Sequence, residues 1–124
     1  MAEVRSYRDL LVWQRAMELA VATYELTRAW PREELFGLTS QSRRASASIA
    51  ANIAEGYGRS TRHAYVSFLR IAQGSLKELE THLILAERVG LSAPATTEPL
   101  LRLADEVGRM LTGLISKLRS HPGR

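Results

Sequence analysis

The chain has 124 residues, a size that holds one hydrophobic core and not two, so a single domain spanning 1–124 is expected. With 45% hydrophobic and 24% charged residues it has the balance of an ordinary globular protein, which excludes a disordered or collagen-like chain. It has no cysteine, which removes disulfide scaffolds, thiolate zinc sites, iron–sulfur ligation and cysteine nucleophiles. No long apolar run follows Met1 or occurs elsewhere, so neither a signal peptide nor a membrane span is expected, and a cytoplasmic location is.

Seventeen Lys and Arg against thirteen Asp and Glu give a net charge of +4, and its distribution is uneven. Residues 41–70 hold Arg43, Arg44, Arg59, Arg62 and Arg70 against a single acid, Glu55, so this segment alone carries the whole excess. If its parts meet in space they form a basic patch. Most of the basic residues are Arg, whose planar fork suits bidentate phosphate contacts better than the Lys ammonium does.

Pro and Gly divide the sequence into four segments with helical periodicity, and none alternates as a strand would. This predicts an all-α fold, an antiparallel up-down-up-down four-helix bundle. The first segment, about 9–29, carries Leu10, Trp13, Met17, Ala20 and Tyr24 on one stripe. It ends at Trp30-Pro31, because the residue before a proline is pushed out of the α region. Leu11, Val12, Leu19 and Leu26 lie on other azimuths of this helix, and a second apolar face predicts that subunits associate. The second segment, about 33–57, has Leu35, Leu38, Ala45, Ile49 and Ile53 at helical spacing, a run of small residues over 45–51, and Gly56 and Gly58 to stop it. The third, about 61–89, is the most regular, with Tyr65, Leu69, Ala72, Leu76, Leu79, Leu83 and Ala86 followed by Gly90 as its C′ residue. The fourth, about 98–118, begins with Thr97 as a cap and Pro99 in the first turn, and reads Leu100, Ala104, Val107, Leu111, Leu114 and Leu118. A frayed tail, 119–124, closes the chain.

Catalytic chemistry finds little to stand on. His63, His82 and His121 are scattered, and the Glu78–His82 pair at i, i+4 misses the Glu-x-x-His spacing of di-iron bundles. No metal site, cofactor or nucleophile elbow is expected, and Glu55 has no acid or base partner in sequence. The turn Gly56-Tyr57-Gly58-Arg59-Ser60-Thr61-Arg62 lacks the spacing of a P-loop. Two readings of it stand: Ser60 and Thr61 beside the free N–H groups of the next helix make a seat for one backbone phosphate, or one of them simply caps that helix. Gln41, Asn52 and Glu55 are polar positions in an otherwise apolar helix and are expected to answer one another across a core or interface, with Asn52 setting register.

Four blocks of the chain resemble a known family: Leu10-Leu-Val-Trp-Gln-Arg-Ala16, Pro31-x-x-Glu34-Leu-Phe-Gly-Leu-Thr-x-Gln41, Ser48-Ile-Ala-Ala-Asn-Ile-Ala-Glu-Gly56 and Ile71-Ala-Gln-Gly-Ser-Leu-x-Glu78-Leu-Glu-Thr81. Together they are similar to the four-helix bundle proteins of the 23S rRNA-intervening-sequence family, over about residues 7–118. The resemblance implies an antiparallel bundle assembled as a homopentameric ring, in a family most of whose members have no established activity. It also brings in the related accessory protein of diversity-generating retroelements, a basic pentamer that binds nucleic acid and its reverse transcriptase. Ser42 departs from the pattern, since relatives tend to carry an apolar residue there.

Residues and resemblance together predict a non-enzymatic, homo-oligomeric protein that contacts RNA or DNA backbones through Arg43, Arg44, Arg59, Arg62 and Arg70. The alternative is a protein-interaction module, for example a partner of a reverse transcriptase, whose arginines serve ion pairs between subunits.

Overall fold

A computed structural model describes residues 3–120. Four helices make up the chain: α1 (Leu11–Thr27), α2 (Ser40–Tyr57), α3 (Arg62–Arg88) and α4 (Pro94–Arg119), and the described residues contain no strand. Helix α1 packs on α2 and α4, and so does α3, which puts α1 and α3 on opposite sides of a shared core. That core is Val12, Ala16 and Leu19 from α1, Ala45, Ile49 and Ile53 from α2, Leu69, Leu76, Leu79 and Leu83 from α3, and Leu100, Val107, Leu111 and Ile115 from α4. Each buried Leu or Ile contributes roughly 1.5–3 kcal/mol.

Helix α3 buries the stripe its sequence predicts, with Tyr65 only half-buried at its first turn. Its end is a Schellman cap: Gly90 takes φ +83°, Gly90 N–H donates to Glu87 O, and Leu91 N–H reaches back to Ala86 O at 2.8 Å. Helix α1 requires a correction, because its core face is Val12, Ala16, Leu19, Ala20, Thr23 and Thr27, while Met17 and Tyr24 are exposed. Two apolar stripes share the 3–4 spacing there, and the core takes the one with the small residues. Its threonines enter without an energetic penalty, because Thr23 Oγ1 donates to Leu19 O (2.8 Å) and Thr27 Oγ1 to Thr23 O (2.9 Å).

The other boundaries also differ from the periodicity. The segment expected as the start of the second helix is a 3₁₀ turn, Arg32–Glu34, followed by a wide π turn, Leu35–Thr39, in which Gly37 (φ −108°, ψ −116°) leaves helical geometry. Gly56 lies inside α2 rather than stopping it; a Cβ there would fall 2.8 Å from Phe68 Cβ, so this glycine is what lets α3 approach. Helix α4 begins four residues before the expected start: Pro94 occupies its first turn, where a missing N–H costs nothing, and Pro99 sits inside the helix. Thr97 is buried and donates to Ala93 O instead of capping. Arg119 is the last residue of α4, not part of a frayed tail; residues 121–124, with His121, lie outside the described residues.

Trp30 is buried, and its Nε1–H donates to Ser92 Oγ at 2.8 Å, tying the α1–α2 connection to the α3–α4 connection. No helix among the described residues is long and apolar enough to cross a membrane.

Candidate nucleic-acid interface

Within the chain the five arginines do not share a patch. Arg43 and Arg59 are sixteen positions apart along α2 and its C-terminal turn, about 24 Å at 1.5 Å per residue. Arg70 sits about 12 Å along α3 from Arg62.

The pair at the start of α2 splits in role. Arg43 is half-buried: its Nε–H donates to Thr27 Oγ1 at 2.8 Å, and its guanidinium stacks 4.8 Å above the Tyr24 ring. That geometry clamps α2 to the end of α1. Arg44, by contrast, is exposed, and no carboxylate among the described residues lies within 4 Å of it. Beside it a shallow hollow of about 350 Å³ is lined by Tyr24, Leu35 and Phe36. Phe36 is 92% exposed, an aromatic that sequence periodicity does not single out.

At the α2–α3 turn, Arg59 pairs with Glu55 (2.7 Å) and lies 4.7 Å above the Phe68 ring. Glu55 is thus engaged in its own turn. Thr61 caps α3, its hydroxyl accepting from Ala64 N–H at 3.1 Å, while Ser60 is exposed and makes no side-chain hydrogen bond. Arg62 is half-buried in the first turn of α3, and its Nη1 is buried without a hydrogen-bond partner, so only the rest of its guanidinium can face an external anion. A cation at the positive end of a helix adds to the attraction for an anion. Nearby, the Tyr65 hydroxyl is pushed up to about 12, first by burial and then by the neighbouring Tyr57.

Gln41, Asn52 and Glu55 do not answer one another. Gln41 is exposed; Asn52 is half-buried and donates to Ser48 O (2.8 Å) and Ser48 Oγ (3.0 Å) of its own helix. The contact across the α2–α3 seam is made by Ser48, whose Oγ lies 2.8 Å from Ser75 Oγ. Glu78 and His82 stand 3.9 Å apart as an ordinary helix pair, and no group of His, Cys, Asp or Glu among the described residues is placed to hold a metal.

Arg70 is exposed and lines a hollow of about 500 Å³ between α3 and α4, together with Gln73, Thr112, Ser116 and Arg119. The last three were not singled out by sequence reasoning. Their spacing, i, i+4 and i+7 on one helix, is the signal that marks a common face.

The structure therefore defines a four-helix bundle carrying dispersed arginines, several of them free of carboxylates. The sequence profile of the 23S rRNA-intervening sequence protein family matches residues 8–113, and the chain belongs to that family. The fold is similar to a crystal structure from Bacteroides thetaiotaomicron described as a protein with unknown function from the S23 ribosomal protein family. The two share 25% identity and a TM-score of 0.77, over 85% of this chain and 98% of the other. No curated protein matches the chain.

Proposed function

We propose that the protein is a non-enzymatic, homo-oligomeric four-helix adaptor that binds RNA or DNA through backbone phosphates. The observation that carries this reading is the state of the arginine excess: of the five, only Arg59 has a carboxylate within 4 Å among the described residues. Cations with no acid to answer them remain available to an external anion. Arg44 and Arg70 make the principal contacts, Arg59 and Arg62 contribute at the α2–α3 turn, and Arg43 serves mainly as an internal clamp.

The antiparallel up-down order is supported by the α2–α3 seam, where Gly56 lies against Phe68 and Ser48 against Ser75, so the two helices count in opposite directions. Association of subunits is supported by exposed apolar side chains on two helices: Met17, Val21 and Tyr24 on one face of α1, and Leu85 and Val89 at the end of α3. Unlike faces on opposite sides of a bundle make a heterologous contact, which gives a ring where the rotation closes and an open filament where it does not. Five copies, the number the family resemblance implies, raise the local excess to about +20.

The test is binding of mixed-sequence RNA and DNA across a salt series. Binding that weakens steeply and linearly on a log–log plot is expected, whereas no binding at about 50 mM salt, or a flat slope, removes the proposal. A second reading, a protein-interaction module, is favoured by Phe36, whose ring stands in solvent beside Leu35 and Tyr24. Replacing Arg59 and Arg62 by Glu separates the two: assembly survives if these arginines serve phosphates and fails if they serve ion pairs between subunits.

A further inference from the structure

The groove between α3 and α4 holds two adjoining hollows that share Gln73 and Thr112 and differ in charge. Its middle and far part, about 580 Å³, is floored by Leu76 and Ala104 and widened by Gly74 and Gly108. A Cβ at Gly74 would meet nothing within 4 Å, so the opening there is real space. The cations on this part are neutralised, Lys77 by Glu80 at 3.0 Å and Arg109 by Asp105 at 2.9 Å. Past Gln73 and Thr112, which line both parts, lies the hollow flanked by Arg70 and Arg119.

No acid lines that hollow, and neither Arg70 nor Arg119 has a carboxylate within 4 Å or donates a hydrogen bond to any described residue. The neutral groups beside them are donors as well. Gln73 Nε2 donates to Thr112 Oγ1 at 3.4 Å, which leaves the second amide proton and the threonine proton unused, and the Ser116 hydroxyl makes no side-chain hydrogen bond. Two arginines, a carboxamide and two hydroxyls line this hollow with no carboxylate among them, a set of donors suited to a tetrahedral oxyanion.

We propose that the Arg70–Arg119 end of this groove is a phosphate seat, and that the organic part of the phosphate ester extends along the apolar floor towards Leu76. The proposal deepens the nucleic-acid reading and rests on it for the identity of the ester, a nucleotide unit. The side chains must supply all of the attraction, because α4 ends here and its terminal carbonyls repel an anion. Two sources share this chemistry, a free nucleotide and a polynucleotide strand, and they are separable by experiment.

Amide chemical shifts of the full chain are followed while inorganic phosphate, uridine 5′-monophosphate or a short single-stranded RNA is added, for wild type and for Arg70→Gln/Arg119→Gln. Both arginines are exposed, so the variant keeps the fold; circular dichroism verifies this, and Arg70→Lys/Arg119→Lys provides a charge-retaining control. The expected result is that phosphate and the nucleotide move the amides of Arg70, Gln73, Thr112, Ser116 and Arg119, with an affinity loss of about tenfold per arginine replaced by Gln. The Lys variant recovers part of that loss. Absence of these shifts, or shifts that persist in the Gln variant, overturns the seat. If RNA binds wild type without moving these amides, the seat falls and the nucleic-acid reading stands. If phosphate and the nucleotide move them but RNA binds neither protein, the seat stands as a nucleotide site and the polynucleotide reading falls.

Discussion

The two halves of α2 show how one helix solves two different problems. Its C-terminal half buries Ile49 and Ile53 and brings Gly56 against Phe68, so that its contact with α3 is mainly apolar. Its N-terminal half buries hydroxyls instead: Ser42 and Ser46 are fully buried, Thr39 nearly so, and Arg43 reaches over to Thr27 and Tyr24. Ser46 is satisfied by Arg43 O at 2.9 Å, but Ser42 Oγ and Thr39 Oγ1 have no partner. The apolar half is closed by shape, and the polar half is held by a few directional bonds with some groups left over. An arginine at the polar end is consequently drawn into the fold, whereas Arg70, exposed at the edge of the α3–α4 groove, has no carboxylate beside it among the described residues.

This contrast is sharpened first where the effect is largest. Ile53→Ala removes a fully buried side chain from the closed half and is expected to cost about 2–5 kcal/mol, read from the urea midpoint. Gly56→Ala adds one carbon against Phe68 Cβ at 2.8 Å and Tyr65 O at 3.2 Å, neither a flexible tip, and should cost about 1–3 kcal/mol in the same assay. A neutral outcome would mean that the seam is not closed by shape. At the polar end the sign reverses: Ser42→Ala deletes a buried hydroxyl with no partner and should raise stability by about 1 kcal/mol.

Alkaline pH is a gentler probe of the closed half. Because the folded Tyr65 hydroxyl is raised to about 12 from an ordinary value of 10.0, the unfolded chain gives up this proton first. Stability from this group is complete below pH 10 and is lost as pH rises from there towards 12. Tyrosinate absorbance of the folded protein should show one residue titrating late, and Tyr57→Phe should bring it slightly earlier.

The regular stripe of α3 was legible in the sequence because only one face of that helix is apolar throughout. Helix α1 was not, since two stripes fit the same spacing and nothing local says that Thr23 and Thr27 can be buried at no penalty by bonding their own helix. The start of α4 is hidden for a related reason: Thr97 has the chemistry of a cap, yet tertiary packing buries it. The charge excess in 41–70 was visible, but not its dispersal, because Arg43 is absorbed by residues sixteen and nineteen positions away. Arg119 follows the last apolar residue of its stripe, Leu118, and so reads as tail, although Thr112, Ser116 and Arg119 share one helical face.

The proposed function requires that the fold decide which arginines are free for phosphate. Its most direct test is the salt dependence of RNA binding for wild type, Arg43→Gln and Arg70→Gln, measured by fluorescence anisotropy. A steep slope for wild type, a slope shallower by about one for Arg70→Gln, and an unchanged slope with lowered stability for Arg43→Gln are predicted. A flat wild-type line, or an Arg70→Gln line that overlays wild type while Arg43→Gln departs from it, contradicts the account.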